Sequence, residues 1–471
     1  MSGALARVWL AAAALAAGAW LGAEGGPAVW GLAPACTGAL LLLRRRSLLA
    51  ALGIVALAFG LGWFSATART GSGSPLATSA SSVPRCEVAG RVLETAGGLG
   101  TVASIESAVC AGHADAPGRG VVVIDGDIGA AGSTFVAHGW LLPLGDDPFD
   151  AARRRLGADA SFDTADMEVE PPGTGPLRVA FLVKQGLVRA TQTLEPRRAA
   201  LLRGLSLGDT RALDAGTIEG FRRAGLSHLL AVSGSNVAIV LGAVALLLRA
   251  LPLWLKLSVA LGALVLFVLV VGPEASVLRA AVMGAIGLAA LAYGRRAEPL
   301  HALGLALIAV VAARPYMVFS VGLHLSAAAT AGLVLWTSPL ARMLPFLPRP
   351  ARIALGATLA AQLAVAPILV ATFGELSLAS PAANLLALPA VPPSTVLALG
   401  AALMGPVHLP TARLLATMAE PFAGWILAVG DLYGARSWAS LDVARWWGWP
   451  LAAPVALAAA LSLRRIGRSD L

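Results

Sequence analysis

Of the 471 residues, 57% are hydrophobic before the 52 glycines are counted, and only 13% are charged. Mean hydropathy is +0.77. About half the residues of a soluble domain are apolar, so these values exclude a soluble enzyme, a disordered tail and a disulfide-rich secreted module. They describe a polytopic α-helical membrane protein with one soluble insert. The net charge of +9 is almost all arginine, because Lys184 and Lys256 are the only lysines. Cytoplasmic loops under the positive-inside rule and a polyanionic partner both fit that excess.

Residues 1–66 predict three spans, near 1–22, 27–43 and 47–66, in preference to a cleaved leader. Arg44, Arg45 and Arg46 place the second turn in the cytoplasm, with the N-terminus on the same side and everything after residue 66 outside. Residues 67–175 then form an extracytoplasmic β domain. A Gly-Ser linker leads into short alternating runs such as Glu87–Leu93, Gly120–Gly126 and Thr134–Leu141, the pattern of a small β-barrel or sandwich. Asp146-Asp147-Pro148 reads as a turn and 149–156 as a short helix. Residues 176–225 form a basic, membrane-proximal region, with 179–203 as an interfacial helix. Cys86 and Cys110 share the polar insert, and its outward placement predicts a disulfide between them. Cys36 lies in an apolar run.

Nine more spans follow, near 226–248, 252–271, 277–293, 299–313, 316–336, 353–373, 379–404, 410–433 and 450–463, giving about twelve in a 3 + 9 arrangement. Arg249, Arg295, Arg296, Arg342, Arg349, Arg352 and the terminal arginines then fall inside, and the C-terminus is cytoplasmic. Arg314, Arg436 and Arg445 fall outside, against the rule. Pro381, Pro389, Pro392 and Pro393 predict a broken or re-entrant segment over 379–404. Four tryptophans within 437–449 predict an outer interfacial helix.

The most distinctive stretch is Phe221–Val240. Two arginines, Arg222 and Arg223, lead into a span carrying His228, Ser233, Gly234, Ser235 and Asn236. Such polar groups at membrane depth need internal partners or a wet path. Interhelical hydrogen bonding alone is the plain alternative. With Leu205–Asp209 upstream and Ser276–Met283, Gly294–Leu300, Phe319–Ser326, Gln362–Pro367, Phe373-Gly374 and Ala383–Ala387 downstream, in that order, the stretch resembles the ComEC competence family. The resemblance covers nearly the whole chain. It implies an inner-membrane channel of bacterial DNA uptake, with the β insert as the family's OB-type domain. The chain departs in having Asn236 where many members have His, and His324 where Gln is common before Leu-Ser. Many members also carry a C-terminal metallo-β-lactamase-like domain. The six histidines here, at 113, 138, 228, 301, 324 and 408, form no His-x-His-x-Asp-His cluster, so any nuclease is expected on a separate chain, unless the sequence is a piece of a longer protein, and no metal or cofactor is implied.

Charge distributes the expected roles. Residues 70–175 hold roughly 6 Arg against 14 acids, and 175–223 roughly 9 Lys and Arg against 4 acids. DNA capture is therefore expected on Arg197, Arg198, Arg203, Arg222 and Arg223. A path for single-stranded DNA is expected along His228, Ser233, Gly234, Ser235, Asn236, Arg279, His324, Ser326, Gln362 and Asn384, with Arg279 as the phosphate contact or else paired with Glu274. With no nucleotide-binding loop, the partners implied are a DNA receptor outside, a motor helicase, a separate nuclease, membrane lipid and further copies of the chain. The alternatives are a transporter of another polyanion or lipid head group, and an intramembrane hydrolase using Ser233 and His228.

Overall fold

The computed structural model describes residues 83–95, 100–110, 120–125, 129–145, 148–230 and 232–469, with five isolated alanines at 11, 12, 14, 17 and 80. The three spans expected over 1–66 lie outside the described residues.

The polar insert is a closed five-stranded sheet. Its strands are β1 (Arg85–Thr95), β2 (Thr101–Cys110), β3 (Gly120–Ile124), β4 (Thr134–Leu142) and β5 (Ala160–Glu170), with α1 (Pro148–Arg155) between the last two. They pair in the order β1-β2-β3-β5-β4, and β4 returns to β1. Only β3 and β5 run parallel. Alternation sets the interior: Val88, Val92, Phe135, Ala137, Leu141 and Phe162 point inward and are buried. The registers shift between Ala89 and Gly90 and between His138 and Gly139. At each bulge a Cβ would strike the neighbouring strand's backbone, so glycine there lets the sheet bend shut. Cys86 and Cys110 are register partners on β1 and β2 and form a disulfide.

The membrane part begins with α2 (Pro176–Ala190), α3 (Pro196–Leu207), α4 (Ala215–Ala224), α5 (Ser227–Leu230) and α6 (Gly234–Leu247). It continues with α7 (Leu253–Val271), α8 (Ala275–Ala292), α9 (Pro299–Ala313), α10 (Val321–Arg342) and α11 (Arg349–Phe373). Next come β6 (Glu375–Ser377), α12 (Ser380–Ala387), α13 (Val391–Met404), α14 (Leu409–Gly434), β7 (Ser440–Asp442) and α15 (Gly448–Ser469). Among the described residues six stretches are long and apolar enough to cross a membrane: α7, α8, α10, α11, the continuous α12–α13 segment and α14. The apolar α6 and α9 are shorter. The chain is a polytopic membrane protein.

Five sequence expectations are corrected. The single helix over 179–203 is two helices: the Thr191 hydroxyl bonds back to the Leu187 carbonyl as α2 ends, and Glu195 caps α3 by accepting from the Arg197 and Arg198 N–H groups. Pro196 has no N–H to continue a helix but suits the first turn of a new one. Nor does α3 lie at an interface. Eight of its twelve residues are buried, and with α2, α4 and α12–α14 it builds the largest core. The span over 226–248 is broken, because Ser233 is extended between α5 and α6. The Trp-rich segment is not a helix: Ser440–Asp442 pairs with Glu375–Ser377, and a 3-10 turn follows at Arg445–Trp447. The proline-rich segment, expected to be broken or re-entrant, instead runs as one helical stretch over Ser380–Met404, its backbone staying right-handed through a 3-10 turn at Leu388–Ala390.

The closed sheet is fastened to the membrane helices. Glu94 on β1 pairs with Arg314, just after α9, and accepts a hydrogen bond from the Tyr316 hydroxyl at 2.8 Å. Arg314 also donates to Tyr316 at 2.9 Å. Burial, and then the nearby Glu94 charge, pushes the Tyr316 hydroxyl up to about 12, so it remains a donor at neutral pH. Gly132 in the β3–β4 connection packs on Leu177 of α2.

Two measurements check this arrangement. Thiol labelling of unreduced, denatured protein should modify Cys36 and spare Cys86 and Cys110; labelling of all three would refute the oxidised insert. Glu94→Gln should leave Arg314 without its counter-charge, cost about 1–3 kcal/mol, and speed hydrogen exchange at the β1 end. Unchanged exchange there would show that the clamp does not hold the sheet.

Candidate functional site

The break in the signature span sets the site. Gly234 opens α6, and Ser233, its N-cap residue, makes no side-chain capping bond. The Ser233 hydroxyl instead lies 2.5 Å from that of Ser235. The first N–H groups of α6 therefore lack a side-chain cap, and the positive end of a helix dipole is left open.

Arg279 meets this end. It is the fifth residue of α8, is 5% exposed, and donates through Nη1 to the Thr330 hydroxyl on α10 at 2.5 Å. Met283 Sδ is a weak second acceptor at 3.5 Å. Its Nε has no partner. Its Nη2 faces Gly234 so closely that a Cβ on that residue would lie 2.7 Å away. Among the described residues no carboxylate lies within salt-bridge distance of Arg279, Glu274 included. A buried cation and an uncapped helix N-terminus thus stand together without a negative charge between them. Burying a charge without a partner costs several kcal/mol, so this arrangement favours an anion.

The other expected path residues divide. Asn236 is buried, and its Nδ2 donates to the Leu205 carbonyl at the end of α3 at 2.7 Å. The amide ties α6 to α3. Ser276 donates to the Val232 carbonyl at 2.9 Å and holds the break to α8. Ser326 presents its carbonyl to Thr330 at 2.9 Å, which orients the hydroxyl that Arg279 uses. His228 and His324 are exposed, and the hydroxyl of Ser233 is engaged with Ser235. Gln362 and Asn384 gather elsewhere, at the α11–β6–α12 corner. Gln362 donates to the Ser377 carbonyl at 2.6 Å, and Asn384 to Ser380 at 2.9 and 3.0 Å. Their amide oxygens are buried without partners. Thr330 and Met283 were not anticipated. A lone hydroxyl within the alanine run 327–331 is the signal that pointed to the former.

The five expected capture arginines are held by the protein itself. Arg197 grips Asp431 with two bonds, at 2.8 and 2.5 Å, and donates to Thr217. Arg198 reaches Glu195 and Glu420. Arg203 donates to Thr191 and to the Val188 carbonyl. Arg222 pairs with Glu219 and Glu375. Arg223 makes one bond, to the Arg436 carbonyl at 2.8 Å.

The family model for competence proteins matches residues 205–467, more than half of the chain. The chain belongs to the competence protein family. The match runs from α3 to α15 and contains the helix break, Arg279 and Thr330. Over 214 residues the chain is 29% identical to ComE operon protein 3 of Bacillus subtilis, covering 45% of this chain and 27% of that protein. The chain thus spans about a quarter of the length of this relative. No solved structure matches significantly.

If Asn236 is the tie between α6 and α3, Asn236→Leu should leave the Leu205 carbonyl unpaired and lower stability by about 1–3 kcal/mol. Thermal unfolding in detergent reads this. An unchanged midpoint would return Asn236 to a purely path-lining role.

Proposed function

We propose that the chain passes single-stranded DNA through the plasma membrane during competence. One observation carries the reading: two positive poles, the Arg279 guanidinium and the α6 N-terminus, face one another with no carboxylate between them among the described residues. A phosphodiester oxygen is an anion that fits between them. Depth supports it. The 14 residues of α6 rise about 21 Å, against about 30 Å of hydrocarbon. With Arg249 at the inner end of α6, the break lies inside the apolar layer. Arg279, five residues into α8, reaches a similar depth from the outer side.

In this reading the closed sheet is an extracytoplasmic OB-type unit, and the arginine-bearing turns after α6, α8 and α10 are cytoplasmic. His228, Ser235, His324 and Ser326 line the wet approach. Gln362 and Asn384 offer free amide oxygens, and Arg223 has most of its donors left for capture. A receptor outside and a motor and nuclease inside complete the system, and further copies of the chain complete the pore.

Arg279→Gln should insert and accumulate normally yet lower transformation by roughly an order of magnitude or more, whereas Arg279→Lys keeps part of the function because a point charge still meets phosphate. The exchange Glu274→Arg with Arg279→Glu should not rescue. Full rescue by the exchange would make Arg279 a structural ion-pair partner and defeat the phosphate contact.

A further inference from the structure

The outer arginines and the Trp-rich segment have no part in the path described above, yet the fold brings them to one corner. β6 and β7 pair Glu375 with Asp442 and Ser377 with Ser440. The Arg223 guanidinium bonds the Arg436 carbonyl, and the Ser377 hydroxyl bonds the Arg223 carbonyl, both at 2.8 Å. Arg445 lies across Gly374, where a Cβ would be 3.3 Å from its Cγ. Arg436 and Arg445 are exposed, and among the described residues neither side chain has a carboxylate partner. The acids of this corner are already placed: Glu219 and Glu375 hold Arg222, and Asp442 adds to the field there.

Beside these cations stand three exposed indoles. Trp446 and Trp447 stack on one another with centroids 4.5 Å apart and planes at 26°. Trp438 sits edge-on to Tyr433 at 6.3 Å. They are 60%, 46% and 53% exposed. Uncompensated guanidiniums interleaved with exposed aromatic faces make a surface that tracks a phosphate backbone and stacks bases without reading sequence.

We propose that this corner, Trp438, Trp446 and Trp447 with Arg223, Arg436 and Arg445, is a platform that binds single-stranded nucleic acid at the outer end of the membrane helices. This rests on the function proposed above and gives it a capture site. An anchoring belt would explain tryptophans at this level. It does not explain two arginines without counter-charges at the outer end, or a stacked pair held on hydrogen-bonded strand and turn backbone. The corner lies at the outer ends of α11 and α14, as Arg279 lies near the outer end of α8, so a strand held here meets the break next.

The test uses the full chain in nanodiscs of phosphatidylcholine, which carry no anionic lipid, and a fluorescent 20-nucleotide oligo-dT read by anisotropy. Trp446→Ala with Trp447→Ala should weaken binding at least about tenfold. Trp446→Phe with Trp447→Phe should retain most of it, which separates stacking from misfolding. Arg436→Gln with Arg445→Gln should lower the salt slope by about 1.4. A duplex of equal length should compete poorly, since its bases are already stacked. The proposal is overturned if the alanine pair binds oligo-dT as the wild type does, if the duplex competes equally, or if the wild type shows no salt-dependent binding. Altered vesicle partitioning with unchanged oligo-dT affinity would likewise reassign the corner as a lipid anchor. Arg279→Gln separates the two readings. It should lower uptake in cells by roughly an order of magnitude or more, while the Trp446→Ala with Trp447→Ala pair still weakens oligo-dT binding at least about tenfold in that background, and normal uptake by Arg279→Gln defeats the conduction path without touching the platform.

Discussion

A guanidinium buried in an apolar bundle, with no carboxylate partner among the described residues, is the constraint around which the membrane helices are arranged. Arg279 has one good acceptor, the Thr330 hydroxyl, and that hydroxyl is itself oriented by the Ser326 carbonyl one turn earlier. The opposite side of the guanidinium faces Gly234, where an added Cβ would lie 2.7 Å from Nη2 and the end of the arginine would have to shift. The absence of a Cβ and the break before it are therefore one feature. The chain must leave helical geometry at Ser233 so that an N-terminus, and not the flank of a helix, meets the arginine. Asn236 and Ser276 hold the break from both sides, through the Leu205 and Val232 carbonyls.

The arginines expected to go against the positive-inside rule have structural contacts. Arg314 meets Glu94 of the closed sheet, so its charge belongs to a contact between the sheet and the helices. Arg436 contributes its carbonyl to Arg223, and Arg445 covers the left-handed Gly374 that ends α11. Topological rules count charges along the chain, whereas the Arg314 charge is matched by what the fold puts opposite it.

The same logic reverses the expected electrostatics of residues 176–225. Their basic excess suggested a surface for a polyanion, but Asp431, Glu420, Glu195, Glu219 and Glu375 absorb much of it, and three of these come from beyond residue 370. The segment is a wedge: α2 and α3 enter the largest core, and Gly186 lies so close to Gly405 that neither position has room for a Cβ. The closed sheet is acidic and offers a polyanion little attraction. Among the described residues Arg279 at the break in the signature span, and Arg436 and Arg445 at the β6–β7 corner, stand without a carboxylate partner.

Composition and periodicity by themselves determined that the chain is a membrane protein, that a strand-rich unit precedes its described membrane helices, and where most of those helices run, because hydrophobic burial acts on stretches long enough to read locally. The order of short motifs around Phe221–Val240 also determined the family, since glycines, prolines and lone polar residues in apolar runs are few and positionally specific. Tertiary structure alone decided the rest. The break at Ser233 and the strand at Ser440–Asp442 meet partners distant in sequence, Arg279 and Glu375–Ser377, whereas the split at Pro196 has its causes nearby, in Pro196 and the Glu195 cap. Which arginine is neutralised and which is not is likewise a fact of three-dimensional pairing, because an ion pair acts over a few ångströms of space and is indifferent to the more than 200 residues that separate Glu94 from Arg314.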